Sequence, residues 1–191
     1  MGGTPMPQTD LPQTDTPHKN AARKNLGVSW FFYNLLFASM LLVVVARNGV
    51  MFLVAWEVMS LASFFLVMFE HEKQAVRQAG WTYLVATHLG TAFLLALFVM
   101  LGWQNQTLDF DKFAAPASQS VAGVMFLLAV VGFGTKAGFF PMHVWLPEAH
   151  PVAPSHVSAV MSGVMIKMGI YGLLRTITYL GAPPAWWGWT L

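Results

Sequence analysis

The sequence predicts an all-α, polytopic membrane protein with about five crossings, one of them a proline-broken helix. Three observations predict it. Hydrophobic residues make up 56% of the 191 residues and charged ones only 9%, far below the charged share of a soluble domain. Several apolar runs reach the roughly 20 residues that a helix needs to cross a hydrocarbon core. Four prolines, Pro141, Pro147, Pro151 and Pro154, interrupt the stretch between the last two runs.

The same composition excludes several functions. A net charge of +2, with no basic patch interleaved with aromatics, leaves nucleic acid out as a partner. The chain has no cysteine, so it builds no disulfide, no thiolate zinc site and no iron–sulfur cluster of its own.

Residues 1–27 form a polar, proline-rich tail with the near-repeat P-Q-T-D-L-P-Q-T-D. It has too little apolar surface to fold alone, and is expected to be disordered or to serve as a partner-binding tail. Its basic residues follow the proline-rich tract, which is not the layout of a signal peptide. Span one is expected over about 28–46, ending at the turn Arg47-Asn48-Gly49. Span two follows over about 50–69, a charged loop over 70–78, and span three over about 79–103. A polar loop over 104–118 leads to span four, which starts near Gln119 and is interrupted by Gly138 and Pro141. A short segment from Met142 to Ala149 precedes span five, about 155–179. The end, 182–191, carries Trp186, Trp187 and Trp189 and suits a membrane interface.

Charge in the loops gives an orientation. Lys19, Arg23, Lys24, Lys73 and Arg77 fall on one side; Arg47, Lys112 and Arg175 fall on the other. The positive-inside rule puts the first side, with the N-terminal tail and the proline-broken segment, in the cytoplasm of an inner or plasma membrane.

Four ionisable groups lie inside apolar runs: Glu57, His88, Lys136 and Lys167. Such groups are costly in hydrocarbon and mark ion or proton pathways. Glu57, in LVAWEVMSLASFF, reads either as a relay carboxylate or as a packing glutamate satisfied by Ser60 or a neighbour. Lys136 is expected beside a hydrated helix break, because Pro141 cannot donate to the carbonyl of Ala137. The plainer reading is a lysine that snorkels from a helix end. Lys167, about twelve residues into span five, is too deep to snorkel, and Gly163, Gly169 and Gly172 leave room for a close neighbour or for water. His88 either faces the same pathway or bonds a backbone carbonyl. His143, His150 and His156 titrate near neutral pH and suit proton relay. Their spacings are not those of a helical metal pair, and no metal site is expected. Glu148 and His150 are expected at the cytoplasmic mouth. The G-x-G-x-x-A at 132–137 lacks a preceding strand, and the sequon Asn105-Gln106-Thr107 lacks a secretory context; neither is read as a site.

The ordered series T-K-x-G-x-x-P-x-H-x-W-L-P-E-A-H, P-x-H-V-S-A and I-K-x-G-I-Y-G, over 135–172, resembles the signature of antiporter-like membrane subunits. These occur in respiratory complex I, Mrp-type antiporters and group 4 hydrogenases. The histidine-containing form most resembles the hydrogenase branch, that of hydrogenase-4 component B and formate hydrogenlyase subunit 3. The resemblance covers about 28–181, the middle of such a subunit. It implies a chain that lacks spans on both sides, as a split subunit or a fragment would, and lacks a later charged residue of the exit path. It also implies that Glu57 pairs with Lys136, that Lys136 hands its proton to Lys167, and that a polar residue near His156 bridges the two lysines. The function implied is proton translocation as one membrane subunit of a redox-driven complex. Fe–S, NiFe or flavin centres are then expected only in partner subunits, membrane and peripheral. A stand-alone cation/proton antiporter component and a non-conducting scaffold fragment are the other two readings.

Overall fold

The computed structural model describes residues 26–190, which are helical with no strand among them. The expectation for the N-terminal tail lies outside the described residues, except that the first helix already begins at Leu26. Among the described residues, five helices are long and apolar enough to cross a membrane: α1 (Leu26–Val45), α2 (Gly49–Val67, extended by a 3-10 turn to Glu70), α3 (Gln74–Asn105), α4 (Gln119–Ala137) and a fifth crossing over Ser155–Ile177. The short α5 (Leu146–Val152) lies between the last two. The fifth crossing consists of α6 (Ser155–Val160), a π turn (Met161–Met165) and α7 (Ile166–Ile177). A last short helix, α8, spans Ala185–Thr190. The chain is a multi-pass membrane protein. Leu41, Val99, Trp103 and other large apolar side chains point outward, as a hydrocarbon solvent allows and water does not.

The ends of the helices have local causes. Asn48 caps α2, its side-chain oxygen accepting from the Val50 amide at 2.9 Å. At 32 residues α3 is roughly 48 Å long, well beyond a hydrocarbon core of about 30 Å. It takes in Gln74, Arg77 and Gln78, so the charged loop expected over 70–78 is shorter than the polar pattern suggested. Polar residues at the end of a long helix stay helical when they project beyond the bilayer.

On one side of the bundle, Asn48 pairs with Asp109 and Arg47 with Asp111. Arg175, assigned to that side as a loop cation, lies inside α7. Its guanidinium sits over Phe110 and donates to the hydroxyls of Tyr171 and Tyr179. The tryptophan end is less superficial than expected. Trp187 is buried flat against Phe126, with ring centroids 4.2 Å apart, while Trp189 is exposed.

Close helix contacts rest on glycine. Gly90 and Gly132 meet at the crossing of α3 and α4, and Gly169 and Gly172 set α7 against Phe133 and Ala137 of α4. Span four thus sits in the centre, wedged between α3 and α7.

Candidate functional site

The expected break in span four is present, but its cause lies earlier than Pro141. Helix α4 stops at Ala137, where Gly138 adopts φ +77, a left-handed conformation that glycine reaches at little cost. The amides of Gly138 and Phe139 both turn back to the carbonyl of Gly134. The carbonyl of Thr135 receives the indole N–H of Trp145 at 2.7 Å. Pro141 therefore keeps the helix from resuming rather than ending it. The Thr135 carbonyl thus finds its partner in protein, as membrane depth requires.

Lys136 stands in the last turn of α4, directly before the break, and is 2% exposed. Its Nζ donates to Ser60 Oγ at 2.9 Å and to Tyr83 OH at 3.1 Å, and lies over the rings of Tyr83 and Trp56. The hydroxyls are aligned for this. Ser60 donates its own hydrogen to the carbonyl of Trp56, and Ser63 donates to that of Met59. Tyr83 is then free to donate to Ser63, and both oxygens near Lys136 turn lone pairs toward it. The cage favours an ammonium and has no carboxylate in it. A snorkelling lysine is excluded, because Nζ points inward.

Glu57, one turn before Ser60 on α2, makes no direct ion pair with Lys136. Its Oε2 lies 3.5 Å from His88 Nε2, and its Oε1 is buried with no hydrogen-bond partner. The expected Glu57–Lys136 pair is thus replaced by two neighbouring sites on one helix face, Glu57 with His88 and Lys136 with Ser60 and Tyr83. The physical reason is the hydroxyl pair, which satisfies the lysine without a counter-charge. Ser60 serves the lysine, not the glutamate. His88 answers both of its alternatives: Nδ1 lies 3.0 Å from the carbonyl of Leu84, while Nε2 faces Glu57.

Lys167 is exposed on the outer face of the fifth crossing, where its Nζ donates to the carbonyl of Gly163 at 2.6 Å. Gly163 lies in the π turn, whose wider pitch frees backbone carbonyls. Two helical steps, about 200°, separate Lys167 from Gly169, the residue that touches α4. The packing therefore does not bring Lys167 into contact with Lys136, between which the resemblance implies a handover bridged by a polar residue. Gly169 provides the close neighbour foreseen, whereas Gly163 has nothing near it.

The remaining histidines scatter around the break. His156 stacks on Trp30 and meets the edge of Tyr33, tying α6 to α1 rather than bridging the lysines. His143 leans on Phe140, and its Nδ1 is buried without a partner. His150 bonds Ser158 at 2.8 Å, and partial burial holds its ring below the usual histidine range. Glu148 is exposed nearby. No group of acidic residues and histidines able to hold a metal occurs among the described residues. Tyr83, Trp56 and Trp145 escaped the sequence reading. The one available signal was a tyrosine hydroxyl inside an apolar run, which must find a partner when buried.

Residues 46–190 match the transmembrane family described as NADH:quinone oxidoreductase/Mrp antiporter. The chain is 44% identical over 162 residues to hydrogenase-4 component B of Escherichia coli (strain K12), covering 83% of this chain and 24% of that protein. It is 36% identical over 157 residues to formate hydrogenlyase subunit 3 of the same organism, covering 81% and 24%. A chain in the structure of the Mrp complex from Dietzia sp. DQ12-45-1b superposes with a TM-score of 0.77 at 33% identity, covering 84% of this chain and 18% of that one. The chain spans about a quarter of the length of these curated relatives.

Proposed function

Because the chain belongs to the NADH:quinone oxidoreductase/Mrp antiporter transmembrane family, we propose that it is the proton-transferring part of a membrane subunit in a redox-driven complex of the hydrogenase-4 or formate hydrogenlyase kind. One observation carries the reading: a lysine 2% exposed, caged by two hydroxyls at a helix break within a membrane span. A buried lysine can exist with or without its proton, because burial disfavours the charged form that the hydroxyls and a nearby carboxylate favour. Lys136 is the central carrier and Glu57 the acidic group that tunes it. Lys167, on the outward face, is the group to which a proton passes beyond this five-helix unit. His143 and His150 lie on the segment that joins the break to the membrane surface.

Electrons would travel elsewhere. The chain has no cysteine with which to hold an iron–sulfur cluster or a NiFe centre, and the reading assigns NiFe, Fe–S and flavin centres to partner subunits. The positive-inside count, with Lys19, Arg23 and Lys24 before α1 and Lys73 and Arg77 at the start of α3, assigns the starts of α1 and α3 to the cytoplasmic side of the inner membrane.

The likeness to a chain of the Mrp complex favours a second reading, a cation/proton antiporter component that works through the same residues. The two separate in sealed vesicles. Lys136→Met keeps the apolar stem and removes the titrating group. Proton translocation driven by electron transfer in the assembled complex should fall to background, with assembly checked separately. Normal pumping by the assembled variant would remove Lys136 from the mechanism. Proton release that follows a sodium gradient without electron transfer would select the antiporter.

A further inference from the structure

Arg77 enters the sequence reading only as a loop cation that gives orientation. In the structure it stands exposed in the first turn of α3, and its Nη1 donates to the carbonyls of His71 at 3.0 Å and Glu72 at 2.8 Å. Both acceptors belong to the turn between α2 and α3. They hold the guanidinium in place, but as neutral groups they leave its charge standing. A guanidinium offers five N–H donors, so the edge formed by Nε and Nη2 stays available for a two-point contact with an oxyanion. The acidic residues of the turn lie elsewhere. Glu70 pairs with Lys73, and neither Glu70 nor Glu72 lines the groove beside Arg77.

That groove, of about 440 Å³, runs between the start of α1 and the end of α2. Phe32, Phe64, Phe65 and Met68 make its wall apolar, and the rings of Phe32 and Phe65 stack at 4.5 Å. Among the described residues that line it, His71 and Arg77 alone titrate. Two tryptophans indicate its depth. Trp30 in α1 and Trp81 in α3, one turn inward of Arg77, are both exposed. Exposed tryptophans of a membrane protein favour the headgroup level. Arg77 thus stands at the level of lipid phosphates, and Phe32 and Phe65, further in, face the outer part of the acyl region.

We propose that this groove binds one phospholipid with an anionic headgroup: the phosphate accepts from Arg77, and one acyl chain lies along Phe32, Phe65 and Met68. The two parts have different roles. A chain already dissolved in hydrocarbon gains little from an apolar wall, so the wall gives place and not preference. Preference comes from the guanidinium, and should be about fivefold for an anionic over a zwitterionic lipid, the factor that one cation at the membrane surface contributes. A zwitterionic headgroup carries its own ammonium beside the phosphate, which Arg77 repels. A free phosphate has no chain and would leave the apolar wall uncovered. The groove lies on the edge that the positive-inside count assigns to the cytoplasm, the leaflet whose anionic lipids attract basic segments. The inference needs only the membrane-spanning fold and is independent of the proton-transfer reading.

The test uses the full chain in nanodiscs of equal phosphatidylglycerol and phosphatidylcholine, transferred to mild detergent and read by native mass spectrometry. The wild type should retain one phospholipid, with phosphatidylglycerol about fivefold over phosphatidylcholine. A wild-type ratio near one overturns the proposal without any substitution, so the outcome does not depend on how a variant folds. Arg77→Gln should bring the ratio to about one, and Arg77→Lys, which keeps the charge, should retain most of it. A preference that survives Arg77→Gln overturns the assignment. Lys19→Gln, Arg23→Gln and Lys24→Gln together should leave the ratio unchanged; its loss there would move the preference to the N-terminal tail and overturn the groove as its source. Glycerol 3-phosphate, which has the phosphate without the chains, should not displace the retained lipid. Displacement would show a plain phosphate site and overturn the role of the apolar wall.

Discussion

Gly169→Ala should loosen the contact that holds Lys136 in place, while Gly163→Ala, six residues away on the same crossing, should not. A Cβ at position 169 would lie 2.6 Å from the carbonyl oxygen of Phe133 and 2.7 Å from the amide nitrogen of Ala137. Ordinary contact begins near 3.4 Å, so α4 and α7 must part by about 0.8 Å. Both obstacles are backbone and no rotamer relieves them. Overpacking of this kind costs about 1–3 kcal/mol, against a gain of about 1 kcal/mol from replacing glycine by alanine in a helix. With two rigid clashes the upper part of the range applies, and the net loss is about 2 kcal/mol. At position 163 nothing lies within 4 Å, so the helix gain stands alone. The two variants should therefore differ by about 3 kcal/mol, or about 6–12 °C in unfolding midpoint for a chain of this size. The assay is thermal unfolding of the purified chain in one detergent, read by intrinsic tryptophan fluorescence. Equal midpoints for the two variants would refute the packing argument. Because Ala137 adjoins Lys136, Gly169→Ala should also lower proton transfer in the assembled complex.

Tyr83→Phe keeps the ring against Trp145 but removes a hydroxyl that a buried ammonium donates to, and should cost about 1.5–3 kcal/mol; a change below about 0.5 kcal/mol in chemical denaturation would show that Lys136 does not rely on it. Hydrogen bonds from Asn48, and next from Lys112, hold the Asp109 carboxyl below the usual range, so its stabilising effect is full at neutral pH and lost as pH falls from about 4. Asp109→Asn should then flatten the acid side of a stability-against-pH curve, and an unaltered slope would contradict the assignment. Lys167→Met and Lys167→Arg should both abolish pumping if the residue must gain and lose a proton, since arginine stays charged. Activity with arginine but not methionine would mean that a fixed positive charge suffices.

Much of the fold was legible because each crossing is a long apolar run bounded by polar residues. The periodicity of the pattern was of little help, since lipid and protein interior are both apolar and outward faces look like inward ones. Boundaries drifted where polarity and helicity part company, as at Gln74, where α3 continues past the bilayer. The break was legible from the crowding of prolines and glycines. Its position was not, because a glycine that ends a helix is recognised by its positive φ and not by its identity. Trp187 illustrates a related limit. A tryptophan suits a membrane interface and a buried stack equally well, and only the fold-back of α8 onto Phe126 decides between them.

The site shows where sequence stops informing. Residue types gave Glu57, Lys136, Lys167 and His88, each improbable in hydrocarbon without a purpose. The partners each chooses depend on the rotation of one helix against another, which no single run encodes. Lys136 could have met Glu57, the charge it most needs by residue type. It meets Ser60 and Tyr83 instead, because α2 presents Ser60 to α4 and because the Tyr83 hydroxyl reaches it from α3. That substitution matters for mechanism. A lysine locked to a buried carboxylate is held charged by an interaction that is costly to break. A lysine held by two hydroxyls is stabilised less, and the carboxylate one turn away on α2 faces His88 instead. The arrangement thus keeps both protonation states within reach, as a proton carrier requires, and it does so with residues that composition alone would have counted as packing.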